Sequence, residues 1–109
     1  MSSAVRVSPQ PVKGWASASR VRRVCIASGE SDCTRFDFRE LIDLHAADVL
    51  QPDLAICGGL TEAVRIGALA TSANLRVAPH LWAGAPAFAA GLHFAAACPA
   101  AHILEYSLG

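Results

Sequence analysis

The chain has 109 residues, enough for one small domain with a modest core. It is 53% hydrophobic and 17% charged with a formal net charge of zero. That composition excludes a disordered chain and gives no general electrostatic attraction to nucleic acid or to an anionic membrane surface. No apolar stretch reaches the roughly 20 residues that span a bilayer. The nearest to one, 83–98, is interrupted by Gly84, Pro86, Gly91 and His93.

The N-terminal stretch has no acidic residue before Glu30 but carries Arg6, Lys13, Arg20, Arg22 and Arg23, with many serines and with Pro9 and Pro11. Organellar transit peptides share this bias. The simpler reading is a disordered leader over 1–20, assigned to no domain, and it contains no secretory apolar core. The domain is expected over 21–109. Its cysteines, Cys25, Cys33, Cys57 and Cys98, form no C-x-x-C pair, so a zinc ribbon or redox motif is not indicated. They are expected to be reduced and mostly buried, in a cytoplasmic setting.

From Val21 the chain becomes periodic. Val24–Ala27 reads as a short strand followed by Gly29-Glu30, and Asp48-Val49-Leu50 as a second followed by Pro52-Asp53. Leu75–Ala78 reads as a third followed by Pro79-His80, and Ile103-Leu104 as a fourth followed by Glu105. The four ionisable residues are spaced by 23, 27 and 25 positions. Helices are predicted between them. Thr34 and Asp37 suggest a capping pair ahead of Phe38, Leu41, Ile42 and His45. Leu60–Ser72 offers Val64, Ile66, Leu69 and Ala70 as an inner face, with Glu62 and Arg65 as a surface pair and Asn74 at a left-handed end. Ala83–Cys98 is an Ala-rich helix suited to close packing, with Pro86 in its first turn and Pro99 past its end.

Strand and helix alternating in this way imply successive βαβ units and a parallel sheet, whose C-terminal edge is where ligands bind. Asp53 therefore sits at the sheet mouth, and Gly58-Gly59 turn the chain into the next helix. Two architectures fit: a small open flavodoxin-like sheet, or about four units of a (β/α)8 barrel, which needs roughly 250 residues when complete. His45 and His93 are read as structural and His102 as a loop residue, while Trp82 either lines the pocket mouth or packs.

Four segments, ASGES, LQPDLAICGGLTEAVRIGALA, RVAPHLW and HILEYS, closely resemble the C-terminal barrel half of the enolase superfamily, in its mandelate racemase/muconate lactonizing enzyme branch. The resemblance implies the C-terminal half of a TIM-type barrel and Mg²⁺-assisted removal of a proton α to a carboxylate, as in acid-sugar dehydratases, racemases and cycloisomerases. It implies Glu30 as a metal ligand, His80 as general acid/base with Asp53 as its partner, and Glu105 as hydrogen-bond donor to the developing enediolate. An imidazole can take up and return a proton at neutral pH, and a hard cation prefers oxygen ligands. The family's Lys-x-Lys base, its two other carboxylate ligands and its capping domain have no match here. Lys13 is the only lysine, and Gln10 in PQPV is a poor substitute for a ligand. The Mg²⁺ ligand set is thus incomplete, and the chain is expected to be inactive by itself. The expected partners are a small carboxylate or acid-sugar substrate and a missing barrel half or second copy. The alternative is a non-enzymatic half-barrel that acts as an interaction or complementation fragment.

Overall fold

A computed structural model describes residues 24–107. The leader expected over 1–20, and the first and last residues of the expected domain, lie outside the described residues. In chain order the elements are β1 (Ala27–Ser28), α1 (Thr34–Asp43), β2 (Val49–Leu50), α2 (Gly59–Ser72), β3 (Arg76–Val77), β4 (His80–Leu81), α3 (Ala85–Ala97) and β5 (Glu105–Tyr106). None of the described helices is long and apolar enough to cross a membrane.

β1, β2 and β3 pair in parallel in that order, with Ala27 opposite Val49 and Val49 opposite Arg76. β4 and β5 are also parallel, with His80 opposite Glu105. Bridges between Asp53 and His80 and between Val77 and Ala101 join the two ladders into one parallel wall. β3 and β4 belong to one extended stretch that Pro79, which has no N–H to donate, divides. The carbonyl of Pro79 still accepts from the N–H of Glu105, and His80 N–H donates to the carbonyl of Pro52.

The pleat sorts side chains by a period of two. Leu50 and Val77 point to the helices and join Phe38 of α1, Ala63, Ile66 and Ala70 of α2 and Phe94 of α3 in the main core. Val49, Ala27 and Ala78 form a second small cluster on the other face. Phe38 and Phe94 anchor the helix side, at 0% and 2% exposure. Full burial of such a side chain stabilises by about 1.5–3 kcal/mol before packing terms. α3 approaches the sheet closely because Gly91 has no side chain. A Cβ there would run into Leu81 Cδ2, with Leu81 Cγ only 3.0 Å away.

Several expectations are corrected. The first strand is Ala27–Ser28; Val24–Ile26 precede it, with the Ile26 carbonyl accepting from the N–H groups of Asp48 and Val49. The fourth strand is Glu105–Tyr106, and Ile103-Leu104 only lead into it. His80 and Glu105 therefore occupy the ladder itself rather than positions past it, because each is the other's register partner. Val64 is exposed, and the inner face of α2 is carried by Ala63, Ile66 and Ala70. His45 lies beyond α1 with φ 52°. Thr34 caps nothing with its hydroxyl; Asp37 Oδ2 accepts from the Cys33 N–H instead. The four cysteines form no disulfide with one another; against the expectation that they are mostly buried, Cys33 is exposed, Cys25 and Cys98 are half-buried, and Cys57 alone of the four is buried. Asn74 adopts the expected left-handed conformation, φ 56°.

Glu62 is also corrected, from surface to core: it is 7% exposed. Its carboxylate accepts from the Arg35 backbone N–H at 2.9 Å, from Arg35 Nη1 at 2.7 Å and from Arg65 Nη1 at 2.9 Å. It ties the start of α1 to the first turn of α2. The Arg35 N–H is the largest reason that its pKa lies at about 2 instead of the ordinary 4.5; burial opposes this, and the Arg65 and Arg35 guanidinium groups reinforce it. A carboxyl held low in the folded state takes its proton more readily when unfolded. Its stabilisation is therefore present above pH 4.5 and is lost as pH falls through about 2. Thermal melts between pH 7 and 2 should show a lower Tm at neutral pH and a flatter acid response for Glu62→Gln than for the native chain. Parallel curves would contradict this account. Gly91→Ala should destabilise by about 1–3 kcal/mol through overpacking against Leu81, read from urea unfolding, and an unchanged midpoint would contradict the close approach.

Candidate active site

Parallel pairing brings the C-terminal ends of neighbouring strands level. Asp53 is the bridge partner of His80, and His80 is the ladder partner of Glu105. Three ionisable residues from three adjacent strands thus form one row. Glu30, in the turn after β1, extends it at one end. All four border a cavity of about 470 Å³, with Ile56 and Trp82 among its apolar walls.

Asp53 is 2% exposed. Its Oδ1 accepts from the Ala55 N–H at 2.8 Å, an Asx-type contact that fixes the carboxylate at the start of the turn. Its Oδ2 lies 3.0 Å from His80 Nδ1. A carboxylate only accepts, so Nδ1 carries the proton and donates, which leaves the lone pair of the neutral ring on Nε2. Nε2 faces Glu30, whose Oε2 is 3.7 Å away. A proton captured on Nε2 would create an imidazolium between two carboxylates. The turn that follows Asp53 is locked by its own carbonyl, which accepts from the N–H groups of Ile56 and Cys57. Gly58 and Gly59 then take positive φ values of 112° and 83° to enter α2, a conformation that costs glycine nothing. Below the turn, burial pushes the Cys57 thiol up to about 11, which makes it a neutral packing group and not a nucleophile.

Trp82 is 69% exposed yet stacks on His80, with ring centroids 5.9 Å apart and planes inclined by 9°. Both options left open for it are realised, since it lines the cavity and packs on the imidazole. His102 is a loop residue, as expected, with Nδ1 3.3 Å from the Val77 carbonyl. His93 is on an exposed part of α3.

Sequence reasoning did not single out Gln51. Its side chain is 1% exposed, and its Nε2 donates to Glu105 Oε2. The available signal was the two-residue strand period, which places Gln51 on the same face as Asp53.

Among the described residues, no group of three or more His, Cys, Asp or Glu is placed to hold a metal ion. Asp53 is committed to His80 and Ala55, and Glu105 is held by Gln51. Glu30 can offer a hard oxygen to a cation such as Mg²⁺. The described residues do not compose a complete Mg²⁺ site by themselves.

Residues 7–109 match the family described as enolase C-terminal domain-like. A D-galactonate dehydratase of Ralstonia pickettii (strain 12J) is 40% identical over 84 residues, covering 77% of this chain and 22% of that enzyme. A D-galactarolactone cycloisomerase of Agrobacterium fabrum (strain C58 / ATCC 33970) is 35% identical over 91 residues, covering 84% of this chain and 24% of that enzyme. Among solved structures, an enolase from Agrobacterium radiobacter bound to Na and L-malate matches with a TM-score of 0.74 at 42% identity, covering 77% of this chain and 21% of that one. The chain spans less than a quarter of the length of these curated relatives, 22% and 24%. Between the two architectures left open by the sequence, the parallel wall is therefore part of a barrel and not an open flavodoxin-like sheet. The chain belongs to the enolase C-terminal domain-like family, within the mandelate racemase/muconate lactonizing enzyme branch of the enolase superfamily.

Proposed function

We propose that these residues supply the acid–base side of an active site that removes the proton α to the carboxylate of an acid sugar. The observation that carries this reading is the 3.0 Å contact between His80 Nδ1 and Asp53 Oδ2, which leaves Nε2 as the base on the cavity side. His80 Nε2 would take the α-proton while the C–H electron pair moves into the carbon–carboxylate bond. Asp53 would hold the tautomer and balance the imidazolium. Glu105, in the same row, would donate a hydrogen bond to the carboxyl oxygen on which charge develops. Returning the proton gives racemisation; loss of a β-substituent gives dehydration or ring opening. The dehydratase and cycloisomerase names of the curated relatives, and the L-malate in the A. radiobacter structure, support a hydroxy-acid substrate. Mg²⁺, when bound, neutralises carboxylate charge in such reactions. Glu30 is this chain's contribution to its ligands in our reading, and the chain alone is inactive because the remaining ligands come from elsewhere.

The test is α-proton exchange of D-galactonate with D₂O, followed by proton NMR. The full chain is mixed with a polypeptide carrying the rest of a galactonate dehydratase barrel and its cap. His80→Asn should slow exchange by roughly 10²–10⁴-fold. Asp53→Asn should lower kcat with KM little changed, because the amide no longer enforces the Nδ1–H tautomer. Exchange that survives His80→Asn at the native rate would overturn the reading.

A second reading rests on exposed apolar residues at the two ends of the wall. Val24 and Ile26 are 69% and 57% exposed, and Ile103 and Tyr106 are 39% and 53%. Exposed apolar residues flanking open strand edges invite pairing, so the chain would act as a non-enzymatic interaction fragment. Light scattering after size exclusion separates the two. Self-association or complex formation without exchange activity favours this reading, and a cooperative monomer at micromolar concentration counts against it.

A further inference from the structure

We propose that Gln51 is a positioning residue for Glu105, one that selects which oxygen of that carboxyl group carries the proton. The inference rests on the role given to Glu105 above and adds to it a residue to which no role has been assigned.

Three observations converge. Gln51 is almost completely buried, at 1% exposure, in a strand-end position where a solvent-facing amide is the ordinary expectation. Its Nε2 donates to Glu105 Oε2 across the stretch of chain that carries Ala78 and His80. Its backbone is fixed independently, since its N–H donates to the Ser28 carbonyl at 2.9 Å. The side chain thus starts from a rigid rung and ends on the site carboxyl.

The chemistry follows from what each oxygen can do. An amide N–H donates best to an oxygen bearing unprotonated lone pairs. With Gln51 on Oε2, a proton on Glu105 belongs on Oε1, and Oε2 serves as the carbonyl-type acceptor. The carboxyl group then has a fixed orientation and a fixed O–H. A donor to a developing enediolate needs both, because misplacement by a fraction of an ångström forfeits much of the benefit. Gln51 does not touch the substrate in this reading; it acts through Glu105. Its burial beside Asp53, whose carboxylate is committed to His80, keeps the two acidic groups of the row on separate partners.

The test is solution NMR of the labelled full chain, which needs no catalytic turnover. The chain has three side-chain carboxamides, those of Gln10, Gln51 and Asn74, so assignment is direct. One Gln51 Nε2 proton should lie downfield of the other amide protons and exchange slowly. It should move upfield in Glu105→Gln and stay in place in His80→Asn. Side-chain couplings of Glu105 should report one rotamer in the native chain and averaged rotamers in Gln51→Met, with melting still cooperative. If Gln51→Met does not fold, Gln51→Glu keeps the shape and replaces the donor by an acceptor; Glu105 should then leave its rotamer at neutral pH. In the complemented exchange assay, Gln51→Met should cost roughly 10- to 100-fold in kcat with KM unchanged, and the double variant with Glu105→Gln should be no slower than Glu105→Gln alone. An amide proton indifferent to Glu105→Gln, a single Glu105 rotamer in Gln51→Met, or additive kinetic losses would each overturn the proposal. Native exchange in Glu105→Gln would remove the catalytic role of Glu105, and with it the purpose of Gln51. The resonance shift would still reveal whether the contact exists, so the two failures remain distinct.

Discussion

Parallel register is the constraint on which this site depends. Asp53, His80 and Glu105 come from segments separated by 27 and 25 positions. Backbone ladders alone set them level, Asp53 against His80 and His80 against Glu105. A slip of one residue in any strand would turn the affected side chain to the helix face and dissolve the row. The register is in turn held by burial on the helix side, where Leu50 and Val77 enter the main core beside Phe38, Ile66 and Phe94. The hydrophobic effect fixes the strands, and the strands aim the imidazole.

Around that row, each polar group has a defined partner. Asp53 divides its two oxygens between a backbone N–H and the His80 ring. Glu105 meets a buried amide donor. No buried side-chain nitrogen or oxygen among the described residues lacks a hydrogen-bond partner. In a small protein, a carboxylate at 2% exposure is retained only with such satisfaction. Glu62 shows the same logic away from the cavity, where an acidic side chain links the first turns of two helices through three donors.

Much of this was legible in the sequence, for physical reasons. The spacing of Glu30, Asp53, His80 and Glu105 reflects the length of one strand–helix–turn unit, so periodicity revealed the βαβ order. Glycine at 58 and 59 and asparagine at 74 marked left-handed backbone correctly, because steric limits on φ act locally. Part of what failed was local, as at Thr34 and His45, and the rest was long-range. Val64 fits a helical inner face by spacing, but α2 rotates to bury Ala63 and Glu62 instead. Glu62 looked like a surface partner of Arg65 because Arg35, 27 positions earlier, is invisible to local pattern. Gln51 escaped for the same reason, since its partner is 54 positions away. The fourth strand was placed two residues early because the apolar pair Ile103-Leu104 outweighed, in the sequence, a pairing that only His80 dictates.

The alternation of His80 and Leu81 has a consequence for how such a domain can change over time. His80 faces the cavity beneath Trp82, and Leu81 presses on Gly91 of α3. Adjacent codons therefore answer to different demands, one to the cavity and the next to folding. Drift on the cavity side, including loss of the imidazole itself, leaves the helix contacts untouched. A chain built this way can change the lining of its cavity and keep its shape, because the scaffold beneath stays intact.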